Sequence, residues 1–191
     1  MSNEFGDRAY VLATARELYG RVVYSHKTHE KERVIWGEKV CSMGRVSVWL
    51  VSLTTLFAIL SAVLKPLVLL LLTAIISAAT TGFVLWQANF DPVGKENQHR
   101  TAAKELLWIR EQLLLLIERC HIASVPIVDL QRSLESLTRE LTCVYKFAPN
   151  SSDAAYAKAS DALKKGEFTF SDEEIDAFLP VALRKGTQVQ N

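Results

Sequence analysis

The stretch VSVWLVSLTTLFAILSAVL, Val46 to Leu64, is followed by Lys65-Pro66 and then by LVLLLLTAIISAATTGFVLW, Leu67 to Trp86. The first run is 19 residues without a charge and the second is 20. At a rise of 1.5 Å per residue each helix spans roughly 28 to 30 Å, about the thickness of a hydrocarbon core. One unbroken helix would reach roughly 60 Å, twice what a bilayer needs. Pro66 lacks an N–H and disfavours helix at Lys65, so the chain turns there. A transmembrane helical hairpin follows. A soluble hairpin would carry a polar stripe on each helix, and neither run has one. A signal peptide does not fit, because the apolar stretch begins behind 45 residues that include many charges and is too long for an h-region.

Topology follows from charge. Lys27, Lys31, Arg33, Lys39 and Arg45 precede the first run, and Lys95, Arg100 and Lys104 follow the second, while the turn offers only Lys65. Eight basic residues against one predict that both termini are cytoplasmic. Trp49 and Trp86 lie near the cytoplasmic ends of the spans, where interfacial aromatics are expected. The division is then 1–45 as a cytoplasmic N-terminal helix, 46–86 as the hairpin (46–64 and 67–86), and 87–191 as a cytoplasmic helical region.

Net charge is +1, so no bulk field argues for nucleic acid. Cys41, Cys120 and Cys143 form an odd set without C-x-x-C spacing and are expected to be reduced thiols packing as small hydrophobes. Asn150-Ser151-Ser152 matches a glycosylation sequon, which a cytoplasmic segment would never present to the enzyme.

The rest of the chain reads as helix. Val11, Leu12, Ala15, Leu18, Tyr19, Val22 and Val23 recur at helical spacing, with no proline before the first span. Asp91-Pro92 and Gly94 predict a loop over 89–97. Ala102, Leu106, Ile109, Leu113, Leu116 and Cys120 then alternate spacings of four and three, as do Ile127, Leu130, Leu134, Leu137, Leu141 and Val144. These are the seams of helices packed like coiled coils, with Ser124 as the expected N-cap of the second and Arg110 and Arg132 off the seams. Asp153 to Lys165 predicts a short helix with Tyr156, Ala159 and Leu163 on one face, ended by Gly166. Ser171-Asp172-Glu173-Glu174 reads as a capping box, with Phe170 and Ile175 as its staple. The expected fold is all-α, a two-helix transmembrane hairpin with a cytoplasmic antiparallel helical bundle.

No catalytic motif is present: there is no G-x-x-x-x-G-K-[ST], G-x-G-x-x-G, G-x-S-x-G or H-E-x-x-H. His26 and His29 with Glu30 are too few for a metal, so solvated helix-face histidines are expected. Cys120 beside His121 places a thiol on the apolar seam, where it is inert, and adjacent helical residues do not face each other. Neither a catalytic residue, a metal nor a cofactor is expected, and the chain reads as a non-enzyme.

The spans carry two other patterns. Thr54, Ala58 and Ala62, and Ala74, Ala78 and Gly82, are small-residue ladders that let helices approach in lipid. Thr73, Ser77, Thr80 and Thr81 make a hydroxyl stripe. Each hydroxyl has its own helix carbonyl as a ready acceptor, yet four together in an oligomer fit a water-filled path without a charged filter. Two helices per chain cannot enclose a pore, so transport requires a homo-oligomer.

This layout resembles the SLATT family, bacterial two-transmembrane effectors associated with SMODS nucleotidyltransferases and SLOG sensor domains. The resembling features are the charged helix Leu18 to Lys39 with Tyr24 and His26, then the tight hairpin. Asn97-Gln98-His99-Arg100-Thr101-Ala102-Ala103 leads a long helix, and Ala148-Pro149 is followed by Tyr156. The tail Glu167-Phe168-Thr169-Phe170-Ser171-Asp172-Glu173-Glu174-Ile175-Asp176 runs into Leu179-Pro180 and Leu183-Arg184. The resemblance covers nearly the whole chain and carries over no catalytic residue. It implies an antiviral effector that opens or disrupts the bacterial inner membrane when a cytoplasmic sensor protein or a nucleotide second messenger signals infection. No appended sensor domain is apparent, which leaves the trigger open. Expected partners are the lipid bilayer, further copies of the chain and that trigger. The rival is a passive membrane-anchored scaffold recruiting a cytoplasmic partner; a holin-like lysis protein and a membrane enzyme stand behind it.

Overall fold

The computed structural model describes residues 2–64, 66–168 and 171. Five helices follow one another: α1 Ser2–Leu64, α2 Leu67–Phe90, α3 Pro92–Cys120, α4 Ile127–Phe147 and α5 Asp153–Lys164. The fold is all-α, with no strand among the described residues. α1 is one helix of 63 residues, about 95 Å long, so the N-terminal segment and the first span share one axis. Pro66 is extended (φ −75°, ψ 134°), and its carbonyl accepts from the N–H groups of Leu69 and Leu70 to start α2.

The loop expected over 89–97 is a single residue. Asp91 sits in the left-handed region (φ 43°, ψ 58°), joining the end of α2 to the start of α3. Its carboxylate accepts the Gly94 N–H at 2.9 Å, and Pro92 fills the first helical turn, where its missing N–H costs nothing. A Cβ at Gly94 would collide with the Asp91 carboxylate and displace it from this cap. The residues read as loop signals are instead a cap.

α1 runs antiparallel to α2 and α3 together. Thr54 lies opposite Thr80, Ser47 opposite Gln87, Trp36 opposite Phe90, His29 opposite His99 and Arg8 opposite Cys120. The Arg8 guanidinium donates to the carbonyls of Cys120, Ile122 and Val125, satisfying the open end of α3. At this distal end Val11, Ala15, Leu18 and Val22 pack with Leu106, Ile109, Leu113 and Leu116 and with Leu130, Leu134, Leu137 and Leu141 of α4. Both predicted seams therefore meet in one core.

Four local expectations change. α4 is preceded by extended Pro126 without a side-chain cap, so Ser124 caps nothing. α5 buries Ala155 and Ala159, whereas Tyr156 is exposed and stacks on Tyr24 at 6.2 Å. Cys120 is buried as expected, but Cys41 and Cys143 are exposed thiols that pack into no core. Arg110 is off the apolar seam yet mostly covered, its side chain 17% exposed. The capping box at 171–174 and its staple lie outside the described residues, Ser171 excepted.

The apolar runs are bare. Their most hydrophobic windows have mean hydropathies of 2.1 and 2.3, and Thr80 is the one buried residue of α2. Trp49, Val63, Leu67 and Val68 are each about two-thirds exposed or more. A soluble monomer does not leave two helices of aliphatic surface in water. Together the runs make this a membrane protein.

Candidate functional site

Between the membrane hairpin and the leucine core, α1 presents the run His26-Lys27-Thr28-His29, and then Glu32, all buried. This corrects the expectation of solvated histidines. A polar run is buried here because α3 covers it from one side and α5 with its following turn covers it from the other.

Each group has a particular partner. His29 Nδ1 lies 3.0 Å from Nδ1 of His99, itself buried on α3, so one ring donates and the other accepts. The Glu32 carboxylate accepts from the Ser152 N–H at 3.0 Å and from its hydroxyl at 2.6 Å. Ser152 also caps α5 by accepting from Ala155 N–H, so Glu32 fixes the start of that helix against α1.

The end of α5 completes the junction. Gly166 takes φ 78°, Glu167 N–H bonds the Ala162 carbonyl and Gly166 N–H bonds that of Leu163, a Schellman stop. The reversal delivers the Glu167 carboxylate to two ammonium groups, Lys27 and Lys31, each at 3.1 Å. Lys27 is 4% exposed and also bonds Glu30 at 2.7 Å. Phe168 then inserts among cations: its ring stacks on His26 at 5.6 Å, with the Lys27 ammonium 4.5 Å and the Arg110 guanidinium 4.7 Å from its centroid. Arg110 is held in turn by Glu111. The Glu167–Phe168 strap is thus pinned to α1 by charge and by a ring. No triplet of His, Cys, Asp or Glu among the described residues is placed to hold a metal.

Burial dominates the titration of this junction. It lowers His29 to about 4, with neighbouring His99 adding to the effect and Glu32 opposing it. Burial also lowers His26, reinforced by Arg110 and opposed by Glu30, and lowers His99 against the pull of Glu32. Burial alone would raise Glu32, but the Ser152 bonds, His99 and Trp36 outweigh it and hold that carboxyl low. Lys27 and Lys31 hold Glu167 low. Burial raises the Cys120 thiol and leaves it unreactive.

A histidine whose folded pKa is depressed adds stability that is complete above about 6.5 and lost as pH falls toward the folded value. We therefore expect the thermal midpoint of the purified chain to drop between pH 7 and pH 4.5. His29→Gln should flatten that slope. An unchanged slope would mean the histidine pair does not set it. Glu32 and Glu167, also depressed, act in a lower window, below their ordinary value.

The hydroxyl stripe is divided by the hairpin. Thr73 and Thr80 lie on the seam with Leu69, Ile76, Phe83 and Gln87, facing Ser47, Leu50, Thr54, Phe57 and Ser61 of α1. Thr80 meets Thr54 at 3.2 Å and Ser47 donates to Gln87 at 2.9 Å. Ser77 and Thr81 are exposed instead, as are Ala58, Ala62, Ala74, Ala78 and Gly82. The hydroxyls of Thr54, Thr73, Thr80 and Thr81 also bond back to carbonyls one turn earlier.

Sequence reasoning missed His99, Glu32, Ser152, Glu167, Phe168 and Arg110 as partners. The available signal was the spacing of His26, His29 and Glu32, which puts three polar groups within two turns of an otherwise amphipathic helix.

A family model described as SMODS and SLOG-associating 2TM effector domain family 4 matches residues 12–174. No curated protein and no solved structure gives a match.

Proposed function

Because the chain belongs to family 4 of the SMODS and SLOG-associating 2TM effector domains, we propose that it is an oligomeric, pore-forming or membrane-depolarising effector of bacterial antiviral defence. A cytoplasmic sensor protein or a nucleotide signal releases it. The hairpin lies in the inner membrane, both termini are cytoplasmic, and the action is physical, with no reaction catalysed. One observation carries this reading: the helix that holds the Glu167–Phe168 strap is the same unbroken helix that enters the apolar hairpin. A trigger acting on the strap therefore acts on a helix of the membrane assembly.

Several copies are needed to enclose a path. Ser77 and Thr81 are free of the hairpin seam and line it, and Ala74, Ala78 and Gly82 pack against a neighbour. Induced expression with a potential-sensitive dye tests this. Wild type collapses the potential. Gly82→Leu weakens assembly in crosslinking, and Ser77→Leu keeps assembly but lowers leakage at equal membrane level. A stable monomer or dimer under activating conditions, or unchanged leakage in Ser77→Leu, overturns the pore.

The scaffold reading retains one supporting feature, an apolar cleft between α3 and α4 lined by Trp108, Val144 and Phe147. Overexpression tolerated with full potential would favour it.

A further inference from the structure

Where the bundle meets the hairpin, two ammonium groups share one indole. Lys39 lies 3.9 Å and Lys95 4.7 Å from the Trp36 ring centroid, and Lys95 is also 4.2 Å from that of Phe90. Trp36 and Phe90 are in contact at 5.5 Å, and Phe90 stacks on Trp86 at 5.4 Å and 11°. An aromatic column thus runs from the end of the second span down to the two lysines.

Neither lysine makes an ion pair among the described residues, although carboxylates are near. Glu96 is engaged by Arg100, Asp91 caps Gly94, and Glu38 is exposed beside Lys39 on α1. Two cations held on one ring, neither in a direct ion pair, leave an attractive field for an anion between them.

Height selects the anion. Lys39 is seven residues below Val46, about 10 Å, and Phe90 is four residues beyond Trp86, about 6 Å. The headgroup layer extends roughly 5 to 8 Å beyond the hydrocarbon, and the Lys95 ammonium, held on the Phe90 ring, lies at about that level. We propose that Lys39 and Lys95, braced by Trp36 and Phe90, seat the phosphate of an anionic phospholipid against the junction of α1 and α3. The proposal rests only on the hairpin lying in a bilayer, not on pore formation. A bound lipid there would bridge the two long helices just below the membrane.

The full chain in detergent is titrated with phosphatidylglycerol or phosphatidylcholine, and retained lipid is read by native mass spectrometry. Phosphatidylglycerol should be retained preferentially, and Lys39→Ala with Lys95→Ala should weaken that retention about 10- to 30-fold. Lys158→Ala with Lys164→Ala, remote from the aromatic column, should not. Millimolar inorganic phosphate should not displace the lipid; displacement would make this a site for free phosphate and overturn the lipid assignment. Equal retention of both lipids, or wild-type retention in the Lys39/Lys95 variant, also overturns it. Failure to float with vesicles of either lipid would instead remove the bilayer placement beneath it.

Discussion

Leu113→Ala is expected to cost on the order of 2 to 5 kcal/mol of stability. Leu113 is fully buried where α1, α3 and α4 meet, and surroundings of this kind relax only partly around a cavity. Leu137→Ala, on the facing seam, should fall in the same range. Arg132→Ala, exposed and paired with Asp129 over one helical turn, should cost well under 1 kcal/mol. Arg110, also off the seam, is not an equivalent control, because its guanidinium covers Phe168. Chemical denaturation followed by helicity would check the ranking, and equal tolerance at Leu113, Leu137 and Arg132 would refute the shared core.

The second large effect concerns the strap. Glu167→Lys sets a third ammonium against Lys27 and Lys31 and should drive the strap off α1. If the strap restrains the effector, the variant should collapse membrane potential at severalfold lower inducer than wild type, at equal protein level. Combining it with Lys31→Glu restores one opposite-charge pair and should return the threshold toward wild type. A merely destabilised protein would not be rescued by that exchange. An unaltered threshold in Glu167→Lys would show that the strap restrains nothing.

The hairpin and the leucine seams were legible in the sequence because burial in lipid and burial in a core both write themselves as periodicity. Alternating steps of three and four from Ala102 to Cys120 and from Ile127 to Val144 allow one buried face each, and those faces are buried, with only Ile127 and Val144 at the ends of the second half-covered. Asp91-Pro92-x-Gly94 was opaque because the same residues that break helices also cap them, and only the geometry separates the two. His26 and His29 misled for a related reason. Polar residues on a helix usually mark its wet side, and the partners of these two came from sequence far away, in His99 and Phe168. The stripe from Thr73 to Thr81 was divided because one 100° step per residue spreads it across nearly a third of the helix. The hairpin seam takes one edge of that arc and leaves the other outside.

The left-handed Asp91 between α2 and α3 has no counterpart in α1, which passes the same level without proline or a break. Sharp bends in helices need such a cause, so one rail of this protein is jointed and the other is stiff. A load applied to the N-terminal end of α1 arrives at the bilayer as torque or axial thrust. The articulated rail can yield at Asp91 while the stiff one turns, in the manner of a crankshaft against its bearing.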